Sequence, residues 1–162
     1  MERTAATDTF FSEFQSATGI TSNDYVVVAF GNSAAMSDEL LELVERGTKR
    51  ATASLRRDYE DGREPLPRVG DHVVVVNSKA VPRLIWRTTE IVVKPLADVD
   101  EAFARDEGEG DRTRDWWLAS HRGYFAQQAA REGFTMSDQI ETVFERFIVV
   151  WPPGVADEFR SG

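Results

Sequence analysis

Four short apolar runs constrain this chain most: Tyr25–Phe30, His72–Val76, Arg83–Lys94 and Glu141–Trp151. They are rich in Val and Ile and are separated by unequal stretches, so they read as strands without the regular strand–helix alternation of a parallel sheet. The four consecutive valines Val73–Val76 predict a strand covered on both faces, because an alternating pattern would leave every second side chain polar. Val81-Pro82 opens the next strand at a position where proline costs no ladder bond. Thr48–Leu55 adds modest strand character, and Pro152-Pro153 stops the last run. The expected fold is α+β: a small, mostly antiparallel β-barrel with flanking helices.

The helices follow from spacing and caps. Asp8–Ala17 places Phe10, Phe11 and Phe14 on one face before Gly19, and Ser37 precedes a helix that runs to Arg46-Gly47. Further helices are expected over 98–107 and from Arg114 to Glu132, the second ending at Gly133. Arg56–Arg68 reads as a charged loop, kept irregular by Pro65 and Pro67. The organisation expected is an N-terminal segment with a packing helix over 1–24, one domain over 25–152, and a flexible tail over 153–162. Residues 1–8 show no apolar periodicity and are expected to have little burial to order them.

Composition narrows the chemistry. With no cysteine and only His72 and His121, the chain offers no thiolate and no histidine-built zinc centre, so neither a metal nor a cofactor is expected. No apolar run reaches the ~20 residues of a membrane helix, and the first residues do not form a signal peptide, so a cytoplasmic protein without a membrane partner is expected. Net charge is −9, but residues 46–94 carry +5 and the remainder −14. Either a cationic patch sits on an acidic surface, or the charges are scattered and solvated.

Nucleophile-elbow, phosphate-loop, dinucleotide and EF-hand spacings are all absent. What stands out is Gly47-Thr48-Lys49-Arg50-Ala51-Thr52 directly after a capped helix, a G-x-K-x-x-T pattern, with the acidic run Glu107-Gly108-Glu109-Gly110-Asp111 some fifty residues later. Together with Phe30-Gly31-Asn32 and the Gly70-Asp71 turn, this arrangement resembles the ASCH domain from about Tyr25 to Trp151. The resemblance implies a PUA-like β-barrel with a cleft beside it that binds RNA or a nucleoside-like small molecule. Members that hydrolyse acylated nucleosides and members with ribonuclease activity imply a metal-independent hydrolase. By position, the family's lysine, threonine and carboxylate fall on Lys49, Thr52 and Glu107, with Glu109 the fallback. The chain departs from the minimal hydrolase members in its length and its charged loop at 56–68.

Such a trio suits amide or phosphodiester hydrolysis without a metal. Lys49 serves either as a base with a lowered pKa or as the cation facing an oxyanion, Thr52 as nucleophile and Glu107 as proton shuttle. Lys49 and Thr52, three apart, converge only if the stretch begins as a turn or bulge. Ligand contacts are expected from Arg50, Arg56, Arg57 and Arg87, with Arg63 and Arg83 in the same basic segment. Trp117 and Tyr124, sharing a helix face with Ser120 and His121, are candidates either to stack on a base or to pack the helix against the barrel. Trp86 and Trp151 are assigned to the core. The alternative function is a non-enzymatic RNA-binding module using the same cleft.

Overall fold

The structure, a computed structural model, describes residues 1–157; residues 158–162 of the expected tail lie outside the described residues. Helix α1 spans Ala5–Thr18, strand β1 Val26–Val28, helix α2 Ala34–Glu45 and strand β2 Ala51–Leu55, followed by a short 3₁₀ turn at Arg56–Tyr59. Then come β3 (His72–Val76), β4 (Pro82–Pro95), α3 (Glu101–Glu107), α4 (Arg114–Glu132) and β5 (Glu141–Trp151). The five strands form one sheet in the order β1-β3-β4-β5-β2. β1 pairs parallel with β3 and every other pairing is antiparallel.

The result is an α+β fold, a mixed half-barrel flanked by helices. The register of β4 slips against β5 between Ile85 and Trp86 and again between Thr88 and Glu90. Bulges of this kind bend a strand and raise its twist. The two edge strands, at opposite ends of the sheet order, consequently face one another: Val28 of β1 and Thr52, Ala53 and Ser54 of β2 line a single cavity of about 230 Å³. The seam left open between these edges is the cleft.

The four valines do what their pattern predicts. Val73 and Val75 pack inward with Leu41 and Val44 of α2 and with Trp86 and Phe147, while Val74 and Val76 pack outward against Phe11 and Phe14 of α1. A third cluster joins β2 and β5 to α3 and α4 through Leu55, Phe103, Trp117, Phe125 and Phe144. Trp86 is fully enclosed, whereas Trp151 packs half-buried at the margin of the α1 cluster.

Two expectations are corrected at the N-terminal side. Residues 1–8 are held by polar contacts that an apolar pattern cannot reveal. Thr4 caps α1 in a reciprocal capping box with Thr7, and the buried Thr7 hydroxyl lies 2.9 Å from the Tyr25 hydroxyl. The N-cap of α2 is Ser33, whose hydroxyl accepts from the Met36 amide, so the helix starts a turn earlier and Ser37 is buried within it. At the other end, Pro153 and Gly154 are exposed, but the chain beyond them is anchored: Ala156 is buried, and Asp157 accepts from Arg50 and from the Val149 amide.

Phe14 is the central contact between α1 and the outer face of β3. Phe14→Ala is expected to lower unfolding free energy by about 3–5 kcal/mol, measured by urea denaturation; a loss below 1 kcal/mol would mean that α1 is not integral to the fold.

Candidate functional site

The end of α2 and the start of β2 place the lysine. Gly47, at φ +88°, lets the chain leave the helix, and the amides of Thr48 and Lys49 both donate to the Leu43 carbonyl. The stretch therefore begins as a turn and becomes a strand only at Ala51, which is the condition for Lys49 and Thr52 to converge. They do: both line a small cavity of about 90 Å³, together with Phe30, Glu107, Glu109 and Tyr124.

Lys49 is 1% exposed. Its Nζ donates to the Ala51 carbonyl at 2.7 Å and lies 3.4 Å from Glu107 Oε2 and 3.1 Å from Glu109 Oε2. Burial alone would lower the pKa of this ammonium, but the two carboxylates outweigh it and raise the pKa. Lys49 therefore stays charged; of the two roles open to it, the base is disfavoured and the cation favoured.

The acidic segment is brought over Lys49 by α3 and its glycine terminus. Asp100 caps α3, and Gly108 ends it at φ +70°. A side-chain carbon at Gly108 would sit 2.5 Å from the Thr48 carbonyl oxygen, so only glycine lets the two segments meet. The Arg50 amide also donates to the Asp106 carbonyl at 2.7 Å.

Glu107 is as buried as Lys49, and its Oε1 has no hydrogen-bond partner among the described residues. Burial opposes its charge, yet Lys49 and His121 hold its pKa well below the usual carboxylate range. Glu109, 17% exposed at its side chain, differs: burial raises its pKa, Lys49 opposes this, and Glu107 adds to the rise, leaving it at about 7. Two neighbouring carboxyls pushed apart in this way divide the labour of permanent anion and proton carrier. Glu107 was expected to be the proton shuttle, but the environment suits Glu109.

His121 completes the group and was not among the expected catalytic residues. Its Nδ1 lies 2.8 Å from the Trp117 carbonyl, which can only accept, and its Nε2 lies 3.5 Å from Glu107 Oε2. Burial would lower the imidazole pKa, but the Glu107 charge raises it. Trp117, expected at the ligand, is instead 1% exposed and stacks on the His121 ring at 3.7 Å, fixing that ring from beneath. The i, i+4 spacing of Trp117 and His121 on α4 was the available signal.

Glu107, Glu109 and His121 bring ligand atoms within 4.8 Å of one another, a spacing a metal ion could use. Lys49 already supplies a cation against both carboxylates, so an incoming ion would have to displace it. Tyr124 lines both cavities of the cleft. The arginines do not form a free cationic face. Arg50 is bound to Asp157, Arg56 pairs with Glu60 and Glu141, Arg57 and Arg63 both reach Glu132, and Arg83 pairs with Glu45. Arg87 is exposed on β4.

A second polar group went unforeseen. Glu145, in the apolar run of β5, is 6% exposed, accepts from Trp86 Nε1 at 3.2 Å and Thr88 Oγ1 at 2.6 Å, and sits opposite Thr52 in the β2–β5 ladder. A charged pair, Glu145-Arg146, set between Phe144 and Phe147 in an otherwise apolar run was the signal.

The model of the ASCH domain family matches residues 26–151. An ASCH domain structure from Lactobacillus crispatus is 28% identical, with a TM-score of 0.79 over 89% of this chain and 93% of that one. A protein structure from Enterococcus faecalis is likewise 28% identical, with a TM-score of 0.80 over 90% of this chain and 92% of the other. No curated protein matches the sequence significantly.

Two outcomes follow from the site. Gly108→Ala forces a positive φ and a backbone clash, so it is expected to cost roughly 1–3 kcal/mol by denaturation, and a neutral result would show that the acidic segment is not clamped to Thr48. Glu109 binds its proton more tightly folded than unfolded, so its contribution is present below its ordinary value of 4.5 and lost as pH rises through about 7. His121, also raised, acts in the same sense from 6.5 upward. Glu109→Gln should therefore flatten, without abolishing, the fall in melting temperature from about pH 5 to about pH 8; an unchanged slope would count against the raised pKa.

Proposed function

Because the chain belongs to the ASCH domain family, we propose that it is a metal-independent hydrolase that removes an acyl group from the amine of a nucleoside-like small molecule bound in the seam. The observation that carries this reading is the meeting of Lys49, Thr52 and Glu109 in one small cavity, which opens beside the larger one between the sheet edges. The two share Phe30, Thr52 and Tyr124, so a ring in the larger space would hold its substituent over the smaller.

Glu109, with a pKa of about 7, takes the proton of the Thr52 hydroxyl, and the oxygen attacks the amide carbonyl carbon. The Lys49 ammonium faces the oxyanion that forms. Glu109 returns the proton to the amide nitrogen as the C–N bond breaks and the amine leaves. Water, deprotonated in turn by Glu109, then attacks the acyl carbon; Glu109 returns that proton to the departing Thr52 oxygen, and the acyl group leaves as a carboxylic acid. Glu107 remains ionised throughout, holding Lys49 and His121 in place.

A small ligand is favoured over a polynucleotide because the basic side chains near the cleft are largely paired with acids. Affinity driven by phosphate contacts would need them free. Among the described residues, no helix is long and apolar enough to cross a membrane.

The test is hydrolysis of N-acylated nucleosides followed by chromatography. Lys49→Ala and Thr52→Ala should each lower kcat by about 10²–10³, while EDTA leaves the rate unchanged. Thr52→Ala, on a half-buried strand position, should keep the fold even if Lys49→Ala does not. Undiminished turnover in a folded Thr52→Ala protein would remove Thr52 as nucleophile, and undiminished turnover in Lys49→Ala would end the proposal.

A further inference from the structure

The proposed chemistry uses the Lys49 end of the seam and leaves Glu145 unexplained. This carboxyl is 6% exposed, forms no ion pair among the described residues, and lines both the 230 Å³ cavity and a neighbouring one of about 240 Å³. Isolated acids are rarely buried without a cation, because desolvation penalises the charge. A buried acid on a cavity wall is economical only when something in the cavity answers it.

Its geometry shows which atom is available. Both hydrogen bonds, from Trp86 Nε1 and Thr88 Oγ1, fall on Oε2. The indole N–H can only donate, so Oε2 is fixed as an acceptor and Oε1 is left without a hydrogen bond among the described residues. Around it, Phe30, Trp86 and Tyr124 supply flat apolar walls, and Trp86 is itself held by stacking on Phe147 at 4.0 Å. Asp58 and Tyr59 line the same cavity with their polar ends already engaged, Asp58 by Gln128 and Leu55, Tyr59 by Ser54. Glu145 thus holds the free carboxylate acceptor of the chamber, beside the hydroxyls of Thr52 and Tyr124.

We propose that Glu145 is the specificity-determining residue of the seam, its Oε1 accepting a hydrogen bond from an N–H of a flat heterocyclic ring seated against Phe30, Trp86 and Tyr124. The ladder explains why this suits the chemistry next door. Glu145 and Thr52 are cross-strand partners, so a ring held by Glu145 lies one strand spacing from the hydroxyl of the proposed reaction. This inference deepens the proposed function, since it names what the same cleft reads in its ligand, but it concerns binding and does not require turnover.

The test uses calorimetric titration of wild-type protein with two matched pairs: uridine with 3-methyluridine, and cytidine with N4,N4-dimethylcytidine. In each pair the second member lacks the ring or exocyclic N–H. At least one parent nucleoside is expected to bind and its methylated partner to bind about tenfold more weakly or worse, because a buried acceptor is left unanswered. Glu145→Gln should weaken the bound parent by a similar factor: with Trp86 and Thr88 holding the amide oxygen, the substitution turns an N–H₂ donor toward the ring. Its melting temperature reports whether it folds, and if it does not, the methylated pairs decide on wild-type protein alone. Equal binding within each pair, unaltered binding in a folded Glu145→Gln protein, or no binding by any of the four would each overturn the proposal. N–H selectivity without hydrolysis of acylated nucleosides would sink the proposed reaction and leave this inference standing; hydrolysis with equal binding within the pairs would do the reverse.

Discussion

A fully buried ammonium governs this structure. Lys49 cannot be left without counter-charges in the interior, where an uncompensated ion costs several kcal/mol, and its neighbours follow from that requirement. Glu107 and Glu109 must come to it from about sixty residues away, which means α3 must end at a particular point, in a glycine, against the Thr48 carbonyl. His121 then shares the Glu107 charge, and Trp117 supports His121. One charge buried by a single turn of chain thereby ties α2, β2, α3 and α4 together.

The same group separates two carboxyls that are chemically alike. Glu107 lies deepest, between Lys49 and His121, and is held as an anion. Glu109, nearer the opening and beside that anion, keeps its proton to about neutral pH. Position within the cluster, and not residue type, decides which acid is locked as an anion and which holds an exchangeable proton near neutral pH.

How much of this was readable beforehand depended on whether a pattern is local. The double-sided burial of Val73–Val76 is written in four adjacent residues, and the fold class, the strands and the later helices follow from comparable runs. Lys49 and Thr52 were visible as a spaced pair, and the acidic run as a composition, but which carboxyl plays which part arises from burial that no local window contains. The ordering of residues 1–8 rests on the Thr4, Thr7 and Tyr25 hydroxyls, and these leave no periodic trace. His121 stood out as one of two histidines and Glu145 as part of a charged pair within an apolar strand, yet their partners Glu107, Trp86 and Thr88 are distant in the chain. The arginines misled for the mirror-image reason: a basic stretch says nothing about the acids, such as Glu132 and Asp157, that the fold returns to it.

The chain between the 3₁₀ turn and β3 passes over the seam, with Glu64, Pro65 and Pro67 beside Trp86 and Glu145. It belongs to neither the sheet nor the buried charge cluster, and lengthening a surface loop is thermodynamically cheap, about 0.6 kcal/mol for a doubling of its length. This roof can therefore change in length or sequence while the buried charges beneath it keep their geometry.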